Sequence, residues 1–301
     1  MNAKYSNFCP GTVEESLCGK ANCACCLSEK KCKCGQSNEV RIIGGIDVTP
    51  QNKYPWMAKL TMVSKQGVYQ CGGTVINDRY VLTAAHCLYD DISSQYLKPK
   101  NVIVTLGDHD QFSSDDDVPG VTRDADVAAV IPHEKFDFNS FGFDVALLKL
   151  EKPINLSSYK EIRAACLPKS ATQTYAGFNG TAMGWGLTDY SDFFSSPFIL
   201  QEVTVLILEP KCSGYIPDKF TVKEDMLCTG TKKGGQGICV GDSGGPLVVN
   251  ESGMYTLVGM PSVVYITENQ CGGPKVADIY TRVSSFLDWI LEHTEDAEYC
   301  S

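Results

Sequence analysis

An all-β fold made of antiparallel barrels is predicted by three observations. Short strand-like runs recur along the chain, turn residues separate them, and only one segment reads as a convincing helix. The runs cover residues 56–62, 73–81, 101–106, 144–150, 181–186, 201–208, 247–249 and 255–264. The helix falls at the end, where Ser284 or Ser285 can cap it and Phe286, Trp289, Ile290 and His293 share one face. His293 is then a helix-face residue, and His109 and His133 lie in surface-like stretches with no role assigned. No internal repeat or low-complexity segment is present.

The 301 residues are 43% apolar, enough for a packed core, and no apolar run is long enough to span a membrane. A net charge of −10 argues against nucleic acid or an anionic lipid surface as partner. Fifteen cysteines point to an oxidising compartment. The first residues, MNAKYSNFCPG, show no apolar core of an export signal, so the chain reads as one numbered without it. Sequons at Asn155, Asn179 and Asn250 agree with a secreted glycoprotein.

Residues 1–41 form a separate cysteine-rich segment, followed by a domain over 42–301. Seven cysteines fall between Cys9 and Cys34 with little apolar company, so fixed structure there must come from cross-links. A zinc site is the competing reading, but the spacing is irregular and no histidine is included. Disulfides are favoured.

Three stretches carry the chemistry. Residues 236–247 read QGICVGDSGGPL, placing Ser243 among glycines that let the backbone turn sharply and let a substrate carbonyl approach. Such a turn can aim the N–H groups of Gly241 and Ser243 at one point, as an oxyanion hole requires. LTAAHC supplies His86, and GFDVALLKL supplies Asp144 at the head of an apolar strand. A serine hydroxyl is a weak nucleophile until a base takes its proton, and the base works best when a third group fixes its tautomer. The order His86, Asp144, Ser243 differs from those of the subtilisin and α/β-hydrolase folds.

These stretches make residues 42–293 resemble the trypsin/chymotrypsin-type serine proteases, in particular secreted arthropod-like zymogens with a cysteine-rich N-terminal segment. The resemblance implies two six-stranded barrels and a C-terminal helix. It also implies a serine endopeptidase with His86, Asp144 and Ser243 as catalytic residues, Gly241 and Ser243 as the oxyanion hole, and no cofactor in the reaction. Arg41-Ile42-Ile43-Gly44-Gly45 resembles the family's activation site. Cutting after Arg41 would free the Ile42 ammonium to pair with Asp242, so the intact chain is expected to be a zymogen needing an upstream trypsin-like protease. The expected partners are protein or peptide substrates and a protein inhibitor.

By the same resemblance Cys71 pairs with Cys87, Cys212 with Cys228, and Cys239 with Cys271. Cys166 sits where two-chain members tie the domain to the pro-segment, with Cys34 as candidate partner, and Cys300 is left over. If Cys34–Cys166 forms, the pro-segment stays attached after activation, as a docking module or only a tether. The acidic stretch LGDHDQFSSDDD lies where many relatives bind calcium, with Asp108 and Asp115 as candidate ligands. Its last expected carboxylate falls on Val118, and a solvated acidic loop is the equal alternative.

Specificity is read from the pocket positions. Gly237, followed by Ile238, replaces the aspartate that anchors Arg or Lys in trypsin-like members, while Asp278 stands where a pocket glycine is usual. This pattern resembles the broad-specificity crustacean collagenolytic proteases. The substrate-pairing segment Ser262-Val263-Val264 lacks the usual tryptophan, and Val264 should narrow the entrance. Mixed or apolar specificity is expected first, and trypsin-like specificity through Asp278 second. The rivals are a catalytically weak homologue acting as a binding or cofactor protein, and a reading in which the cysteine-rich segment is the active module.

Overall fold

The computed structural model describes residues 32–38, 47–65, 67–216, 220–230, 233–267 and 270–301. The expected activation residues Arg41 and Ile42, and the cysteines from Cys9 to Cys26, lie outside the described residues.

Two antiparallel barrel-like sheets and a terminal helix make up the structure. The first contains β1 (Met57–Ser64), β2 (Gly67–Val75), β3 (Tyr80–Thr83), β6 (Val102–Leu106), β7 (Arg123–Ala125), β8 (Val127–Pro132) and β9 (Ala146–Leu150), in the order β7-β6-β1-β2-β3-β9-β8. Between β3 and β6 lies a small hairpin, β4 (Tyr89–Asp90) and β5 (Gln95–Tyr96). The second sheet contains β10 (Asn179–Gly184), β11 (Gln201–Leu206), β12 (Met226–Thr229), β13 (Leu247–Glu251), β14 (Met254–Val263) and β15 (Asp278–Arg282), in the order β11-β10-β13-β14-β15-β12. In β1 the alternation of Ala58, Leu60 and Met62 with half-buried Lys59 and Thr61 aims one face at the core, as a period of two requires. In β9, Ala146, Leu147, Leu148 and Leu150 are all buried, because the strand lies inside its sheet between β3 and β8.

The structure corrects two sequence expectations here. The run 73–81 is two strands, because Asn77 Oδ1 accepts hydrogen bonds from the N–H groups of Arg79 (3.0 Å) and Tyr80 (2.8 Å) and closes a turn. The terminal helix is α1 (Leu287–Glu292), preceded by a 3₁₀ turn over Val283–Phe286, and neither serine caps it. Ser284 Oγ instead donates to Gln173 O at 3.0 Å and Ser285 Oγ to Glu224 O at 3.3 Å, so both hydroxyls anchor the turn to the domain.

Among the described residues five disulfides form. Cys71–Cys87, Cys212–Cys228, Cys239–Cys271 and Cys34–Cys166 appear as the resemblance implies. Cys300 is not left over: it pairs with Cys32. Residues 32–38 are thus stapled twice, and backbone bonds seat them further. Gly35 N donates to Ala164 O at 2.8 Å, Tyr255 N to Gly35 O at 2.9 Å, and Ser301 N to Cys32 O at 3.1 Å.

Candidate active site

His86 and Asp144 are brought together by strand register. Thr83 at the end of β3 pairs with Ala146 at the start of β9, so the chain leaving one strand runs beside the chain entering the other. His86 Nδ1 lies 2.7 Å from Asp144 Oδ2, and the His86 N–H donates to Asp144 Oδ1 at 2.9 Å. The Ser262 hydroxyl, on β14, donates to Asp144 Oδ2 at 2.5 Å, and Thr281 Oγ1 donates to the Asp144 carbonyl at 2.7 Å. Burial alone would push the Asp144 carboxyl up, but the charge and hydrogen bonds of His86 and the Ser262 hydroxyl outweigh it and hold its pKa low. An ionised carboxylate at Nδ1 fixes the proton there and leaves Nε2 as the base.

Ser243 is carried by the turn leading into β13, and that turn is tied to both sheets. Gly72 N donates to Ser243 O at 2.8 Å and Gly244 N donates to Pro261 O at 2.9 Å. Thr83 Oγ1 donates to Gly72 O at 2.8 Å, and Cys71–Cys87 closes the same corner beside His86. Among the described residues no hydrogen bond joins the Ser243 hydroxyl to His86. In unliganded sites such bonds are often long and tighten only with substrate present. The N–H groups of Asp242, Gly244 and Gly245 each donate within the chain, whereas those of Gly241 and Ser243 have no acceptor among the described residues. Gly241 adopts φ 102°, a conformation that needs glycine. Two donors at one turn without an internal acceptor are what an oxyanion would use.

The Asp242 carboxylate points the other way. It accepts from Gly186 N at 2.8 Å and Cys239 N at 2.9 Å, and burial raises its pKa to about 6 against those two bonds. It borders a cavity of about 1000 Å³ also lined by Gly184, Gln201, Glu202 and Lys53, through which the residue stays partly accessible. The chain enters the described domain at that rim, where Asp47 pairs with Gln201.

The pocket positions also meet. A Cβ on Gly237 would lie 2.7 Å from Asp278 Oδ2, so only glycine leaves room for that carboxyl. Ile238 N donates to Asp278 Oδ2 at 3.3 Å. Burial lifts the Asp278 pKa to about 7, the Ile238 bond lowers it, and the charge of Asp242 raises it again. Val264 is half-buried and packs against the cluster containing Ile238. Sequence reasoning missed Phe141, whose ring stands edge-on to His86 at 5.7 Å and neighbours Phe138 at 5.6 Å. Only the aromatic spacing F-D-F-N-S-F-G-F before Asp144 hinted at it. Ser262, expected in the substrate-pairing segment, turns its hydroxyl to Asp144, a contact that sequence reasoning did not foresee.

The expected calcium loop does not fit a calcium ion. The Lys59 ammonium pairs with the Asp108 carboxylate, with side-chain exposures of 14% and 6%, and lies 5.9 Å from the Trp185 ring centroid. Asp115 is exposed. Among the described residues the only compact group of three ligand-type side chains is Cys71, His86 and Cys87, and its two cysteines are joined as a disulfide.

A histidine bound to a buried carboxylate and a serine on a glycine-rich turn, set between two β-sheets, define a serine hydrolase. The trypsin family profile matches residues 42–290, and the chain belongs to that family of serine proteases. It is 38% identical over 262 residues to a serine protease, SSP1, of Scolopendra subspinipes, spanning 86% of this chain and 85% of that protein. It is 33% identical to phenoloxidase-activating factor 3 of Holotrichia diomphalia, over 93% of this chain and 83% of that one. Against the proclotting enzyme of Tachypleus tridentatus the identity is also 33%, over 86% and 68%. The chain is a serine endopeptidase.

Proposed function

We propose that the chain is the secreted zymogen of this endopeptidase, switched on by a cut after Arg41, and that its primary specificity is mixed. Ser243 attacks the scissile carbonyl, His86 takes the hydroxyl proton and returns it to the leaving amine, and Asp144 holds the imidazole and stabilises its cation. The N–H groups of Gly241 and Ser243 receive the oxyanion, each such donor being worth roughly 3 kcal/mol of barrier. The observation that carries the reading is the His86–Asp144 pair at 2.7 Å beside a serine turn with two N–H groups that have no acceptor among the described residues.

The activation step is supported by Asp242. A buried carboxylate with a raised pKa and no cationic partner among the described residues is stabilised by an arriving ammonium. Ile42 lies five residues before Asp47, a reach of roughly 17 Å for extended chain. Asp278 supports the mixed specificity, since a carboxyl titrating near neutrality accepts a cation when charged and an apolar side chain when protonated. Five disulfides and exposed sequons at Asn155, Asn179 and Asn250 support an extracellular site of action. No structural calcium is needed, because Lys59 supplies the positive charge at Asp108. The regulatory names of two relatives fit a protein substrate and an activating protease upstream.

The test is cleavage after Arg41 by a trypsin-like protease, followed by a covalent serine probe and a peptide-library profile. Labelling at Ser243 only after the cut is expected. Equal labelling before the cut overturns the zymogen reading, and an exclusive Arg/Lys profile overturns the mixed specificity.

A further inference from the structure

Two loops form a surface that the catalytic reading leaves unused. One, residues 107–117, follows β6; the other, residues 186–200, joins β10 to β11. They are knitted together: Asp110 pairs with Ile199 in an isolated bridge, Gln111 N donates to Phe198 O at 2.9 Å, and Gln111 Nε2 donates to Pro197 O at 2.6 Å. Phe112 and Phe198 stand 63% and 64% exposed with their rings crossing at 5.2 Å. Phe193 and Phe194 on the second loop are 74% and 95% exposed. Single exposed apolar residues are ordinary, but four phenylalanines on two joined loops mark a surface meant to be covered.

The charge says by what. The first loop carries five aspartates and the second two, with no lysine or arginine in either. Asp108 is turned inward to Lys59, while Asp115, Asp117, Asp189 and Asp192 are exposed. A second copy is disfavoured, because a two-fold contact would set these aspartates against themselves. Anionic lipid is disfavoured by the same sign.

We infer that this surface docks a cationic segment of a protein partner, one in which Lys or Arg residues alternate with apolar side chains. The aspartates meet the cations, and the phenyl faces take both the apolar groups and the cations. The second loop is tied at its base to the catalytic turn, since Leu187 N donates to Val240 O at 2.8 Å and Val240 precedes Gly241. A protein substrate would thereby gain contacts that a short peptide lacks; this consequence, though not the docking itself, rests on the protease reading.

The test measures binding of a fluorescent peptide alternating Arg with Leu to the full chain carrying Ser243→Ala, and of a peptide with Glu in place of Arg. The Arg peptide should bind and the Glu peptide should not. Phe112→Ser with Phe198→Ser should weaken binding by about tenfold or more, and Asp115→Asn with Asp117→Asn should weaken it and flatten its salt dependence. Binding unchanged in the phenylalanine variant, or equal binding of both peptides, overturns the proposal. So does self-association of the wild-type chain that the phenylalanine variant abolishes. With Ser243 intact and after activation, the same variants should hydrolyse short peptides at the wild-type rate. Loss of that activity in wild type as well would count against the protease reading and leave the binding result standing.

Discussion

The backbone N–H of Ile238 donates to Asp278 Oδ2 at 3.3 Å, and nothing larger than glycine fits at position 237 beside that carboxyl. The Asp278 carboxyl is therefore held beside Gly237 yet poorly paired, with its pKa raised to about 7. As pH rises through that value it becomes charged. The ratio of kcat/KM for Arg or Lys over Leu or Phe at the cleaved position should climb between pH 6 and 8. In Asp278→Asn the ratio should stay flat and favour apolar residues. A wild-type ratio that does not move with pH would show the carboxyl to be outside the substrate's reach.

Asp242 gives a stability prediction. Its folded pKa of about 6 lies above the ordinary 3.8, so between these values the folded chain holds a proton that the unfolded chain has lost. The stability of the uncut protein should therefore fall as pH rises from about 4 to about 6 and level off above. Asp242→Asn should abolish this pH dependence, at the cost of one of the two backbone hydrogen bonds to the carboxylate, and prevent activation by the cut. Denaturant titration at pH 4.5 and 7.5 checks the first part and turnover the second.

The Ser262 hydroxyl supports Asp144. Removing it with Ser262→Ala leaves the carboxylate with one bond fewer, worth about 1 kcal/mol. The expected result is a fall of about fivefold in kcat with KM nearly unchanged. A change confined to KM would place the hydroxyl on the substrate instead.

Lys59 pairs with the Asp108 carboxylate at the expected calcium loop. Calcium or a chelator should leave the wild-type melting temperature where it is. Lys59→Ser should lose about 3 kcal/mol by stranding the Asp108 carboxylate. A calcium-induced rise in the wild-type melting temperature would contradict this.

Among the described residues two disulfides bridge the amino-terminal segment to the protease domain. After a cut at Arg41, non-reducing electrophoresis should show one band for the wild type, for Cys300→Ser and for Cys166→Ser. Only the double variant should release the fragment. Release from either single variant would mean that one of the bonds does not form.

The parts of the site legible in the sequence were those written in contiguous words. Residues 82–87 and 236–247 each carry a functional side chain together with the backbone geometry that presents it. Ser262 and Phe141 could not be weighed that way, because their roles come from what faces them across the fold, Asp144 from 118 residues away in the case of Ser262. The Cys32–Cys300 bond, with a sequence separation of 268 between its partners, was invisible for the same reason. Local reasoning also failed where polar groups had distant partners: Ser284 is a sound cap by composition, yet its hydroxyl bonds Gln173 O. The turn at Asn77 was hidden by the apolar neighbours Val75 and Ile76.

The double staple at Cys32 and Cys34 would set the stoichiometry of the cut enzyme. Severing the peptide bond at Arg41 would change the chain count without changing the particle. Whatever residues 1–31 grip would travel with the catalytic cleft at a fixed one-to-one ratio, and dilution could not part them.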